Sequence, residues 1–258
     1  MKIILSVNKP ISFTPNQIIE KVRTHFPHFA KEKIGFAGRL DPMARGVLLL
    51  LVGDANYERE QYLELDKTYE FTAILGIETD SYDLLGLLND LEIKDSPLNS
   101  DQIIENFIKE SIGKKTQPYP PYSTKPVQGK QLFKWAKEGK INEIEIPTKE
   151  ITIYSFKKLN ESQLPISELG RIINDKVAKI EGEFRQEEIT NKWHELITAN
   201  MDKELKTITF EVKCSSGTYV RSLVHNLGNK LGCGAVTLDI NRTKVGTYKL
   251  ADSLDLKI

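Results

Sequence analysis

Gly35-Phe36-Ala37-Gly38-Arg39-Leu40-Asp41-Pro42-Met43-Ala44-Arg45-Gly46 runs directly into Val47-Leu48-Leu49-Leu50-Leu51-Val52, which stops at Gly53. The apolar run is far shorter than the roughly 20 residues a membrane-spanning helix needs, and it predicts a buried strand. The stretch before it predicts a loop, in which Gly35, Gly38 and Gly46 let backbone come close to whatever binds there. Asp41 precedes a proline and is thereby kept out of the helical region. Asp-Pro is also an ordinary turn, but Leu40, Met43 and the apolar run surround this carboxylate with apolar walls, where it needs a cationic partner. Arg221, near the start of a helix whose other side is core, is a candidate. Tyr69, in a strand, is a flat side chain with a phenolic handle, equally suited to plain core.

On the N-terminal side, Ile3 to Val7 predicts a strand. Thr14-Pro15-Asn16-Gln17 then forms a capping box with proline at the first helical position, opening a helix that buries Ile18, Ile19, Val22 and Phe26 and ends near Pro27. On the C-terminal side the expectations are a helix over Asp54 to Leu65 and strands over Thr68 to Leu75 and Leu84 to Leu88. A short amphipathic helix over Asp101 to Ser111 precedes a proline-rich loop over Gln117 to Ser123. Lys157 to Lys206 is polar and mixed in charge, helical around Ile166 to Ile180, and reads as an internal insertion. Thr207 to Lys213 alternates like a half-buried strand, and a helix from Thr218 aligns Val220, Leu223, Val224, Leu227 and Leu231 on one face. A strand or strand pair over Ala235 to Leu250 closes the chain. Many strands with dispersed helices imply an α+β fold around a mixed, largely antiparallel sheet.

The 258 residues carry 36 Lys+Arg and 36 Asp+Glu, with 40% hydrophobic and 28% charged residues, which excludes wholesale disorder and fibrous repeats. Ile3-Ile4-Leu5 is cut off too early to be a signal-peptide core, so a cytoplasmic protein is expected. Cys214 and Cys233 cannot build a disulfide framework, and His25, His28, His194 and His225 lack ligand spacing, so no metal is expected. The neutral balance breaks between Gly113 and Lys140, where seven lysines face one acid, Glu138, interleaved with Tyr119, Tyr122, Phe133 and Trp135. Such a mixture suits phosphate neutralisation with base stacking, and alone it equally suits a solvated helix face.

Taken in order, these motifs resemble the TruB family of tRNA pseudouridine synthases. The resemblance covers nearly the whole chain: Lys9-Pro10 and the capped helix; the loop Gly35 to Leu48; Asp66-Lys67-Thr68-Tyr69; the proline segment and helix Pro120 to Trp135; Cys214 to Arg221; and Arg242 to Gly246. It implies a pseudouridine synthase fold formed by a single catalytic domain over residues 1–258, with the polar insertion at about 157–206 and without the C-terminal RNA-binding (PUA) domain of bacterial members. It also implies isomerisation of uridine to pseudouridine at position 55 in the T-loop of tRNA, with no cofactor or metal. Asp41 would be the nucleophile on a flipped-out base, Tyr69 would stack on that base and assist proton removal, and Arg221 would pair with Asp41 and aim it. Tyr219 and Ile240 would line the uracil pocket, and the basic segment, with Lys130, would contact the T-arm.

The chain departs from the family pattern at Phe36, where histidine is usual, at Ala37 and Arg39, and at Lys125-Pro126. Phe36 could stack where the histidine fills the space left by the uridine. This motivates the alternative of a tRNA-folding factor of the same fold with weak or lost catalysis. A monomer is expected, since no apolar stripe is left over.

Overall fold

The computed structural model describes residues 1–256. Strand β3 (Ala44–Gly53) organises it: Val47 to Val52 are completely buried, and their side chains alternate between two cores. Leu48, Leu50 and Val52 pack with Val7 of β1 (Lys2–Lys9) and with Ile18, Ile19 and Val22 of α1 (Pro15–His25). Val47, Leu49 and Leu51 face Tyr62, Leu63 and Val245. A strand covered on both faces needs no polar alternation, which is why the run is continuous. The α1 capping box forms as expected, with the Thr14 side chain on the Gln17 amide and the Gln17 side chain on the Thr14 amide.

Four expectations about the elements are corrected. The loop is shorter than Gly35 to Gly46, because β2 (Ile34–Ala37) pairs with Leu49 to Val52 and β3 already begins at Ala44, leaving a tight connection around Asp41. The helix over Asp54 to Leu65 is a 3-10 turn followed by the short α2 (Arg59–Leu63). Leu84 to Leu88 forms no strand. Beyond β4 (Lys67–Leu75) the chain coils into a buried turn with isolated bridges Thr79 to Leu88 and Asp83 to Thr237, its Leu84 fully covered by helices packed from elsewhere.

Then follow α3 (Ser100–Ser111), β5 (Gly113–Pro118), a small ribbon of β6 (Pro126–Val127) and β7 (Lys130–Gln131), and α4 (Leu132–Lys137). Gln117 and Pro118 thus end a strand rather than begin the proline loop. The long β8 (Thr148–Pro165), α5 (Ile166–Val177), α6 (Gln186–Ala199) and β9 (Glu204–Cys214) come next. After them stand α7 (Val220–Leu231), β10 (Ala235–Val245), β11 (Tyr248–Lys249) and β12 (Leu254–Asp255).

Ten strands form one sheet in the order β12-β1-β3-β10-β4-β9-β8-β5, with β2 beside β3 and β11 beside β10. Among the described strands only β1–β12 and β3–β10 pair in parallel, so the sheet is mixed and largely antiparallel. The β3–β10 junction sets Ala44 opposite Ile240 and Gly46 opposite Arg242. Gly46 has φ +107°, and a Cβ there would lie 2.3 Å from the Arg242 carbonyl oxygen, so glycine is required for the close approach. Among the described residues no helix is long and apolar enough to cross a membrane.

Candidate functional site

The connection between β2 and β3 places Asp41 just before the first residue of β3, an interior strand of the sheet. Gly38 turns with φ +77°, the Asp41 carbonyl accepts from the Ala44 amide at 3.0 Å, and the Pro42 carbonyl accepts from the Ser12 amide at 2.9 Å. The Asp41 side chain remains 35% exposed, while that of Arg221 is 4% exposed. Arg221 is the second residue of α7. Its Nε and Nη2 both lie 2.9 Å from Asp41 Oδ2. Nη1 donates to the Ser81 carbonyl, and Nη2 also donates to the Tyr122 carbonyl at 3.2 Å. Every arm of the guanidinium is engaged, so the carboxylate meets a fixed charge.

A second carboxylate, which the sequence reading missed, stands on the other side. Asp83 Oδ2 lies 3.5 Å from Arg221 Nε, and Asp83 Oδ1 accepts from Ser81 Oγ at 2.7 Å and from the Leu85 amide at 3.0 Å. Burial pushes the Asp83 carboxyl up, opposed by Arg221. Burial by itself disfavours the Arg221 charge, but Asp41 and Asp83 together hold the guanidinium above its ordinary range.

Tyr69 lies on β4 between Val212 and Arg242, and burial raises its phenol, so the ring is neutral at physiological pH. Arg242, fully buried, donates Nε to the Val47 carbonyl at 2.7 Å and Nη2 to the Gly38 carbonyl at 3.0 Å, tying the Asp41 loop to the sheet. In the sequence it stands out only as part of the closing motif, because its role depends on contacts to residues 195 and 204 positions away. Ile240 shares an apolar cluster with Leu40, Ala44, Tyr69 and Phe71. Tyr219 caps α7. It exchanges two hydrogen bonds with the Gln117 side chain, at 2.8 and 3.1 Å, and its ring meets Tyr119 edge-on at 5.6 Å. Burial, with Asp41 nearby, raises the Tyr219 phenol to about 12.

Lys9 is also buried beside this site. Its Nζ donates to the carbonyls of Pro10 at 2.9 Å and Phe13 at 2.7 Å, and burial lowers it to about 7.

Asp41 and Arg221 are therefore in direct contact, with Tyr69, Tyr219 and Ile240 close to the Asp41 turn. Phe36 is not among them, because its side chain packs against the β1–α1 cluster. Lys130 lies on the separate ribbon, ion-paired with Glu138 and 4.0 Å from the Trp135 ring centroid. Among the described residues no three metal-ligating side chains come together.

An exposed carboxylate aimed by a buried guanidinium, next to an aromatic and aliphatic wall, can act as a nucleophile on a planar ligand. Residues 27–169 match the TruB family pseudouridylate synthase N-terminal domain. The tRNA pseudouridine synthase B of Lactobacillus delbrueckii subsp. bulgaricus is 32% identical over 254 residues, covering 98% of this chain and 72% of that protein. The synthase of the same name from Aquifex aeolicus is 28% identical over 253 residues, covering 98% of this chain and 71% of its own length. In fold the chain is similar to a solved Cbf5-Nop10-Gar1 complex, with a TM-score of 0.59 at 21% identity, over 98% of this chain and 52% of that one. The chain belongs to the TruB family of pseudouridylate synthases.

Proposed function

We propose that the protein isomerises uridine 55 in the T-loop of tRNA, as one catalytic domain acting as a monomer, with neither metal nor cofactor. The observation that carries this reading is the Asp41–Arg221 pair: a carboxylate open to solvent on one side and fixed by a buried guanidinium on the other. The flipped uracil docks beside Asp41, stacks on Tyr69 and is bounded by Ile240 and Tyr219. Unstacking it costs a few kcal/mol, offset by the new stacking and by phosphate contacts outside. Asp41 attacks the nucleoside and the bond from N1 to the ribose breaks. The uracil then rotates and C5 bonds to the ribose carbon as the bond to Asp41 breaks, which returns the free carboxylate. The C5 proton is lost while N1 gains one, so the product is an isomer. Because burial keeps the Tyr69 phenol protonated, its oxygen assists proton removal through hydrogen bonding rather than as a phenolate. The basic ribbon and α4 contact the T-arm backbone.

The test is pseudouridine mapping on an unmodified tRNA transcript. Wild type converts the T-loop uridine, and Asp41→Asn, of nearly the same shape, yields no product while binding tRNA with little change. A wild-type protein that binds tRNA but leaves the uridine intact overturns the enzyme and leaves the folding factor standing. Full activity in Asp41→Asn removes Asp41 from its role.

A further inference from the structure

Behind the Asp41–Arg221 pair lies a second guanidinium. Arg185 donates Nη1 to Asp80 Oδ2 at 2.9 Å and Nη2 to Asp80 Oδ1 at 3.2 Å, a two-pronged grip. Tyr122 Oη donates to the same Asp80 Oδ2 at 2.8 Å, the Leu87 amide donates to Oδ1 at 2.9 Å, and the Arg185 guanidinium lies 4.7 Å from the Tyr122 ring centroid. Burial, reinforced by Asp80, pushes the Tyr122 phenol far above its usual range, so its hydroxyl stays a donor.

The consequence lies in which backbone groups this cluster fixes. The two carbonyls that receive Arg221 belong to Ser81, adjacent to Asp80, and to Tyr122 itself. One guanidinium thus holds both loops that hold the other. Arg221 stands between two carboxylates, Asp41 and Asp83, and its Nη donors to Ser81 and Tyr122 decide how it is oriented between them. If those carbonyls loosen, Arg221 can turn toward buried Asp83 and leave Asp41 unaimed. Arg185 precedes α6 in a left-handed conformation, φ +62°. Its turn also accepts Lys137 Nζ of α4 on the Glu183 carbonyl at 2.7 Å, so it touches the basic ribbon's flanking segments on both sides.

We propose that Arg185 is a positioning residue for the reaction: by clamping Asp80 and Tyr122 it keeps the Ser81 and Tyr122 carbonyls on Arg221 and so fixes the Asp41 carboxylate. The proposal rests on Asp41 being the nucleophile.

Arg185→Ala, Arg185→Lys and Tyr122→Phe are compared with wild type in single-turnover pseudouridine formation at saturating protein, in tRNA affinity, and in the Arg221 Nε–Hε signal of the 15N-labelled, RNA-free protein, assigned by its loss in Arg221→Lys. Arg185→Ala lowers the single-turnover rate about tenfold to a hundredfold, the scale of a small misplacement of a reacting group, with tRNA affinity unchanged and the Arg221 signal shifted or broadened. Arg185→Lys, keeping charge without the fork, restores part of the rate. An unchanged rate, a loss expressed only as weaker binding, or an unaltered Arg221 signal in folded Arg185→Ala overturns the proposal. Should Arg185→Ala not fold, Tyr122→Phe decides by the same readouts, since it removes only the hydroxyl bond to Asp80. A wild type that forms no pseudouridine overturns the proposed activity, and the Arg221 signal then still decides whether the clamp exists.

Discussion

Lys9 shows how a single position carries a solution property. It is fully buried, its Nζ satisfied by two carbonyls, and burial lowers its ammonium to about 7 despite the nearby Asp41. In the unfolded chain the same group titrates near 10.4. Between these values the unfolded state holds a proton that the folded state lacks, so stability rises with pH across that window. Below pH 7 both states are protonated and the contribution is constant. Urea unfolding of wild type and Lys9→Met at pH 7 and pH 9 checks this. Wild type gains about 2 kcal/mol more than the variant on going to pH 9, and parallel behaviour would reject a depressed Lys9. The two carbonyls left without a donor in Lys9→Met lower its stability by an amount that does not vary with pH. Lys9-Pro10 was visible in the sequence as a motif, but its burial was not, since a lysine near a chain end is ordinarily solvated.

At the scale of elements, the basic segment separates into lysines already occupied and lysines that are free. Lys130 is ion-paired with Glu138 and rests on Trp135, whereas Lys134, one turn into α4, has no acid within ion-pair distance among the described residues. Neutralising a phosphate requires an unpaired charge, so Lys134→Ala lowers the slope of log affinity against log salt by about 1. Lys130→Ala changes it less, because its charge is already neutralised by Glu138. Equal slopes for both variants would show that the Glu138 pair opens on binding. Counting lysines located this ribbon, and only the folded hairpin revealed which charge was spent internally. The helices were legible where a capping box or an apolar stripe marked them, as in α1 and α7 respectively. The Leu84 to Leu88 stretch misled because apolar residues in a turn covered by helices look like a buried strand.

Across the whole molecule, the segment 157–206 supports the site it does not border in sequence. Its average is polar, yet Ile166, Leu169, Ile173 and Val177 of α5 and Ile189, Trp193 and Leu196 of α6 are buried, packed with Leu84. Trp193 donates Nε1 to the Leu84 carbonyl at 3.2 Å, anchoring the turn that carries Asp80, Ser81 and Asp83. Trp193→Phe leaves that buried carbonyl without its donor and lowers stability by about 1–3 kcal/mol, read from denaturant unfolding. A smaller effect would mean that the turn is held by its neighbours alone.

The sequence by itself determined the loop with Asp41, the buried β3, the capped helix α1, the amphipathic α7 and the order of motifs, because periodicity, caps, prolines and glycines act within a few residues. It also nominated Arg221 and Tyr69, and the family resemblance added Tyr219 and Ile240; all four lie close to the Asp41 turn. Only the tertiary structure decided what fixes them. Asp83, Arg242, Asp80 and Arg185 act through contacts between distant segments, such as the 105 positions from Asp80 to Arg185. Whether a charge among them is solvated, paired or buried depends on which strands and helices close over it, and a linear pattern does not encode that closure.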